Sequence, residues 1–336
     1  MPTMTSPQPA AAGAAWQSAA GNTLLRLGAL GAPGRLSILI YHRVLTSPDP
    51  LFPDEVDARR FDQQLTLLKR GFNVIPLAQA VRSLRDGTLP PRAACITFDD
   101  GYADNAEVAL PILQRHGLAA TFFVATGFLD GGRMWNDTVI ELLRRAPGPW
   151  LDLDALGYGR HALGSDAERA AAIHALLGKL KYLAPAPRQA EVDRLHAHLG
   201  LVLPDNLMMR SEQVRQLHQA GMEIGAHTVL HPILASTEDD AARHEMASGK
   251  AALEAIIGAP VRHFAYPNGK PGRDYLARHA ALARELGFEA AVSTAWGAAG
   301  SGSDLFQLPR FTPWDRDPLR FQLRLLRNLY RRGDVV

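Results

Sequence analysis

The sequence predicts an α/β protein, a parallel sheet of seven or eight strands closed or nearly closed into a barrel, with one helical insertion. Three observations lead there. Short apolar runs alternate with amphipathic helical stretches from Leu36 to about Leu308, the pattern that a parallel sheet requires. The alternation breaks once, over 128–207, where helical patterns at about 136–145, 166–181 and 188–199 follow one another between Gly- and Pro-containing turns. Finally, His42, Asp99-Asp100, His227 and Tyr266-Pro267-Asn268 each stand at or just past the end of an apolar strand, and barrels of this class collect their chemistry at strand C-termini.

Residues 1–34 are rich in Ala, Gly, Pro and Ser, with no charge before Arg26, and read as a mobile arm. Leu24-Leu25-Arg26-Leu27-Gly28 is too short and interrupted for the apolar core of a secretory signal. The barrel domain is expected over 35–316. Its first strand is 36–42, followed by a helix over 60–70 with Phe61, Leu65 and Leu68 on one face. Val74-Ile75 and 77–84 give a second strand and helix, and Cys95-Ile96-Thr97-Phe98 the third strand. Asp104, with Glu107 three residues on, marks a helix N-cap; that helix reaches His116 and is expected to bend at Pro111. A β-branched and aromatic strand follows over 119–125.

Beyond the insertion the alternation resumes. A helix over 211–220 capped by Ser211 leads to a strand over 222–226, then come a helix over 239–257 and a strand over 264–266. A helix over 274–286, a strand over 290–293 and a last strand near 305–308 complete the pattern. Within the tail 317–336, Leu319, Leu323, Leu326 and Tyr330 form a stripe, and six arginines lie between 316 and 332. This reads as a helix packed on the barrel with a solvated basic face; peripheral contact with an anionic membrane is the second reading.

Composition narrows the class. At 336 residues, 47% hydrophobic and 21% charged, there is ample material for a core. A formal net charge of only +2 leaves no nucleic-acid footprint. The single cysteine, Cys95, excludes an intrachain disulfide and reads as a small core residue. No run of 18 apolar residues occurs to span a membrane. The expected location is cytoplasmic or membrane-peripheral, with action on the cell envelope left open. Oligomeric state is not legible.

Two clusters carry the chemistry. In Thr97-Phe98-Asp99-Asp100-Gly101-Tyr102, two adjacent carboxylates end a buried strand, a costly arrangement unless a metal ion and a hydrogen-bonded substrate hold their charge. Neighbouring residues of a strand point to opposite sides, so both acids face one pocket only where the chain turns, and Gly101 supplies that turn. The alternative is an Asp-Asp-Gly surface turn. In Gly225-Ala226-His227-Thr228-Val229-Leu230-His231-Pro232, two imidazoles four residues apart suit one metal, in a loop because Pro232 disfavours helix at His231. With a carboxylate from another strand end they offer two nitrogens and an oxygen. Zinc is the expected divalent ion on those grounds, and cobalt, nickel or iron also fit.

The pair Thr-Phe-Asp-Asp-Gly and, about 130 residues later, His-Thr-x-x-His resembles the polysaccharide deacetylases with a NodB-like domain, carbohydrate esterase family 4, over roughly 36–311. The resemblance implies a distorted (β/α) barrel of seven or eight strands and metal-dependent removal of N-acetyl groups from the amino sugars, of N-acetylglucosamine type, of a bacterial polysaccharide. It implies Asp99 as general base, Asp100, His227 and His231 as metal ligands, and the Tyr102 backbone N–H as an oxyanion donor. An amide is a poor electrophile with a poor leaving group, and metal assistance beside a basic carboxylate suits it. Hydrolysis of another linear or cyclic amide, or glycan binding without catalysis, are the competing readings.

The chain departs from that family in two places. Members commonly carry an arginine where this sequence has Ala265, in Phe264-Ala265-Tyr266-Pro267-Asn268-Gly269. Arg310, after Leu308-Pro309, is the candidate to approach the base from another side and keep its pKa low; a surface salt bridge is the alternative. The family's late histidine is also missing, since no His follows His279. A barrel has no first strand in space, so the strand 38–42 can take that place and supply His42 as the general acid. An early Tyr-His of this kind resembles the circularly rearranged biofilm-polysaccharide deacetylases. Trp135, at the start of the insertion, together with Tyr266, Pro267 and Asn268, is expected to bind the glycan, and Trp314 is a further stacking candidate. The insertion is expected to act as a lid.

Overall fold

The computed structural model describes residues 32–336, and most of the arm expected over 1–34 lies outside the described residues. Strands β1 (Leu36–Tyr41), β2 (Asn73–Val74), β3 (Ala93–Phe98) and β4 (Thr121–Val124) precede the insertion. Within it lie β5 (Trp150–Leu153) and β6 (Gly159–Ala162); β7 (Glu223–Ala226), β8 (His263–Ala265), β9 (Ala290–Trp296) and β10 (Leu308–Arg310) follow. The main sheet runs β1-β3-β4-β7-β8-β9-β10 with parallel neighbours throughout, and β2 adds to the starting edge of β3. Ile40 N–H donates to Phe311 O (3.0 Å) and Phe311 N–H to Ile38 O (2.7 Å), which brings the two edges together. The expected parallel barrel is present, with seven strands around it.

Period two decides which side chains meet where. Tyr41, Ile96, Phe98, Phe122, Val124 and Phe264 face the surrounding helices. Ile38, Cys95, Phe123, Ala265, Val292 and Leu308 meet in the interior. Helix α1 (Ala58–Gly71) opens on the Asp57 carboxylate, which accepts from Arg60 N (2.8 Å), and buries Phe61, Leu65 and Leu68 as its pattern predicts. Its Phe61 ring meets Tyr41 edge-on at 5.1 Å. Tyr41 stacks on Phe98 (5.4 Å) and Phe98 on Phe122 (4.7 Å). Helix α2 (Leu77–Asp86) packs Leu77, Ala80, Val81 and Leu84 against the interior residues and so plugs the N-terminal end of the barrel.

Several local expectations change. Asp104 does not cap its helix; its carboxylate accepts from Val44 N (3.1 Å) and Arg43 Nε (2.8 Å) instead. The helix opens as a wide π turn over Asn105–Ala109 and continues as α3 (Leu110–His116). Pro111 lies in the first turn of α3, where its missing N–H costs little. In the insertion, α4 (Trp135–Arg145), α5 (Asp166–Leu180) and α6 (Pro185–Leu199) surround their own apolar cluster with Leu51. The insertion is not wholly helical: β5 and β6 form an antiparallel hairpin, with Leu151 and Leu153 turned inward from an alternating strand.

Helix α7 (Ser211–Gln219) is capped from outside, because the Asp130 carboxylate accepts from both Ser211 N (2.8 Å) and Ser211 Oγ (2.6 Å). Helices α8 (Asp239–Ile257) and α9 (Ala277–Glu285) follow on the outer layer. The last strand starts later than expected. The Asp304 carboxylate accepts from Phe306 N (2.9 Å) and Gln307 Nε2 (2.9 Å), which holds 304–307 in a turn. Helix α10 (Pro318–Leu329) packs on the barrel through Phe321, Leu325 and Leu329, with Gln322 and Asn328 buried beside them, while Leu323 and Tyr330 of the expected stripe are exposed. Its buried face includes two amides, which concealed it from a hydrophobic pattern.

Phe98 joins the outer aromatic layer to the strand that ends in the two acids. Phe98→Ala should lower unfolding stability by about 3–5 kcal/mol, read by urea denaturation.

Candidate active site

The interior parity of β3 runs Cys95, Thr97, Asp99. Asp99 therefore ends the strand pointing into the barrel, its N–H held by Tyr41 O (2.9 Å). Asp100 would point outward on a straight strand, but its φ of +76°, followed by +92° at Gly101, turns the chain back. A Cβ at Gly101 would lie 2.9 Å from Val124 Cγ1, so only glycine fits.

Arg310 meets Asp99 from β10. Its two terminal nitrogens donate to Asp99 Oδ1 and Oδ2, both at 2.7 Å, a bidentate pair. Arg310 Nε donates to Ser293 O (2.8 Å) and one terminal nitrogen also reaches Thr97 Oγ1 (3.3 Å). The arginine is fully buried, not a surface partner. Burial disfavours an ionised Asp99, yet Arg310 and His227 outweigh it and hold the carboxyl below its ordinary range.

His227 has the same interior parity at the end of β7, where Gly225 leaves room for the Phe123 ring, 2.4 Å from where a Cβ would stand. Its Nδ1 donates to Ala265 O (2.7 Å), which turns Nε2 to within 3.4 Å of Asp100 Oδ1. His231 Nε2 lies 3.4 Å from the same oxygen. The loop between them is held in place: Thr228 and His231 have φ of +66° and +53°, His231 N donates to Thr228 Oγ1 (3.0 Å), and Val229 N and Leu230 N donate to Glu245 Oε2 (2.9 and 2.8 Å). Glu245 reaches in from α8, whose Gly249 lets the helix approach Thr228.

Asp100, His227 and His231 each turn one ligand atom to a common point, all within 4.8 Å of one another. Asp100 Oδ1 is buried without a hydrogen-bond partner. Burial pushes the His231 imidazole down to about 4, which leaves it neutral with a lone pair to offer at pH 7. Burial works the same way on His227, but the Asp99 and Asp100 charges raise its pKa. An orphaned carboxylate oxygen facing two imidazole nitrogens fits a divalent cation.

Tyr102 follows the turn. Met209 N donates to Gly101 O (2.9 Å) and Ala103 N to Leu207 O (2.8 Å), so the Tyr102 N–H between them points away from that segment. The phenol donates to Asp137 Oδ1 (3.1 Å) under the Arg43 guanidinium, 4.7 Å from the ring centre. Burial pushes the Asp137 carboxyl up to about 7.

Asp99, Asp100, His227 and His231 floor a cavity of about 420 Å³ that His42 and Asn268 also line. Its other wall belongs to the insertion: Trp135, Lys181 and Arg188. One face of the Trp135 ring is covered by Arg188, 4.8 Å from its centre. Tyr266 and Pro267 are not in the cleft. Tyr266 has the outward parity of β8; its ring stacks on Tyr275 at 3.9 Å and its hydroxyl donates to Phe306 O (2.9 Å), fully buried. Pro267 is buried beneath the rim. Trp314 is exposed beside a neighbouring cavity that it shares with His42. Glu245 and Asp137 were not anticipated. Asp137 stands two residues from Trp135 and reads as an ordinary acid of a first helical turn, and Glu245 lies in an unremarked helix.

A family model described as polysaccharide deacetylase matches residues 86–147 and 189–291. The match includes Asp99, Asp100, His227 and His231, and leaves out His42, Arg310 and the middle of the insertion. A Bacillus subtilis relative assigned to the polysaccharide deacetylases, YxkH, is 21% identical over 83% of this chain and 71% of its own length. Among solved structures, the Streptococcus pyogenes deacetylase PplD in complex with acetate aligns with a TM-score of 0.58 and 21% identity, over 88% of this chain and 99% of that one. IcaB from Ammonifex degensii aligns with a TM-score of 0.55 and 20% identity, over 87% and 97%. The deacetylase domain of BpsB from Bordetella bronchiseptica aligns with 0.52 and 20%, over 83% and 96%.

Replacing Arg310 by Met leaves Asp99 buried without its counter-charge. Loss of one partner of such a pair costs about 3–5 kcal/mol, so Arg310→Met should unfold at correspondingly lower urea at pH 7.

Proposed function

The chain belongs to the polysaccharide deacetylase family, and we propose that it is a metal-dependent hydrolase that removes N-acetyl groups from the amino sugars of a bacterial polysaccharide. The observation that carries this is the division of two adjacent carboxylates: Asp99 pairs with Arg310, while Asp100 faces His227 and His231 on the floor of one open cavity. Asp100, His227 and His231 would hold the cation, with zinc first on ligand grounds and cobalt, nickel or iron as alternatives. Bound there, a divalent cation supplies Lewis-acid polarisation of the acetyl carbonyl and acidifies a water.

The chain's own residues do the rest. Asp99, kept ionised and fixed by Arg310, accepts the proton of the attacking water. The Tyr102 N–H donates to the acetyl oxygen as charge develops on it, and the Tyr102–Asp137 bond steadies that residue. The carbon–nitrogen bond breaks only as the departing amine gains a proton, and His42, on the cavity wall at the end of β1, is assigned as its donor. Trp135 and Asn268 would contact the sugar. No described helix is long and apolar enough to cross a membrane, and α10 presents a basic outer face that suits peripheral contact.

Two variants separate the floor's roles. His231→Ala should lose bound metal, measured by elemental analysis, together with acetate release. Asp99→Asn should keep the metal and lose about 10²–10⁴-fold in rate. Metal loss in Asp99→Asn would exchange the two aspartates' roles.

His42 is tested with the leaving group. An activated acetate ester departs without a proton, so His42→Asn should lose the amide reaction and largely keep the ester reaction. Equal losses on both would remove His42 from the acid role.

A further inference from the structure

The cavity wall opposite the two aspartates is cationic. Lys181 follows α5 and Arg188 lies in the first turn of α6, and neither forms a salt bridge among the described residues. Arg188 is only 7% exposed. Among the described residues the other buried arginine, Arg310, is paired with a carboxylate, and the partly buried Arg43 and Arg324 are paired too, with Asp104 and Asp315. Arg169 spends its donors on the carbonyls of Leu143, Ala146 and Leu163. Arg188 has one long hydrogen bond, to Lys181 O at 3.4 Å, and its guanidinium lies over the Trp135 ring, 4.8 Å from its centre. A guanidinium carries five donors, and burying it without a counter-ion is costly. Arg188 lines the cavity that holds the acids and imidazoles.

We propose that the glycan acted on here carries a carboxylate, on or directly beside the acetylated sugar, and that Arg188 with Lys181 recognises it. The inference rests on the deacetylase reading and names its substrate class. A planar guanidinium resting on an indole is suited to two parallel hydrogen bonds to a planar carboxylate, and Lys181 adds a point charge beside it. Among the described residues, the only carboxylates lining the cavity are Asp99 and Asp100. Both have their own partners on the floor, so neither neutralises the wall. A wholly neutral acetylated glycan would leave the Arg188 donors unmatched when it displaced water from them.

The test uses a matched pair: an oligosaccharide alternating N-acetylglucosamine with glucuronic acid, and the same oligosaccharide with its carboxylates reduced to alcohols. Acetate release should give a kcat/KM about tenfold higher for the acidic form at low salt, the size of one charge-assisted recognition pair. The advantage should shrink as salt screens it. Arg188→Gln should bring the ratio near one, chiefly through KM, and Arg188→Lys should retain part of it. A ratio near one in the unaltered protein, or one that survives in Arg188→Gln, overturns the proposal. Calorimetric binding of both oligosaccharides to Asp99→Asn protein separates the two readings. Charge-selective binding with no acetate release from either would sink the deacetylase reading and uphold the carboxylate site. Equal release and equal binding would do the reverse.

Discussion

The bidentate pair between Asp99 and Arg310 is the constraint on which the site depends. A carboxylate inside a barrel would ordinarily protonate; here a fully buried guanidinium meets both of its oxygens. That guanidinium is in turn fixed by Ser293 O from β9 and Thr97 Oγ1 from β3. Three strands therefore position one charge. With both oxygens of Asp99 turned to Arg310 and His227 Nε2 3.9 Å away, Asp100 Oδ1 stands nearer to the two imidazoles, at 3.4 Å from each, and the adjacent acids acquire different chemistry from different partners.

The rim around this pair is built from backbone in the left-handed region. Asp100, Thr228, His231 and Asn268 all have positive φ without being glycine, each at a cost on the order of 1–3 kcal/mol. Side chains brace the loop from Thr228 to His231 and Asn268: Thr228 Oγ1 accepts from His231 N, Glu245 Oε2 from Val229 N and Leu230 N, and Thr294 Oγ1 donates to Asn268 O. The strain converts outward-pointing positions into ones that face the cavity. This is how residues next to each other in sequence come to share a pocket.

Most of the barrel was legible because period two and the helix pattern carry it; the strand ends fell where the apolar runs stop. Arg310 could be suspected only because Ala265 stands where related chains place an arginine, and its burial came from the fold. Tyr266 misled for a stated reason: it ends a strand, but on the outward parity, so an aromatic at a catalytic rim turned into the helix layer. Glu245 left no local signal, since its task is to hold a loop that is distant in the chain. The β5–β6 hairpin was readable in the alternation of Trp150-Leu151-Asp152-Leu153 and was lost among the helices around it.

The fastening of β1 sets an order on synthesis. One edge of β1 pairs with β3, about fifty residues on, but its other edge bonds Phe311, while Arg35 just before the strand donates to Leu329 O and Ser37 Oγ within it accepts from Asn328 Nδ2 of α10. During translation β1 and β3 can zip together early, leaving a bare hydrogen-bonding edge exposed until residues 308–329 have emerged. Asp99 waits as long for Arg310. A nascent chain halted before that point would hold Asp99 without its arginine, so completion of the catalytic base and closure of the ring become the same late event.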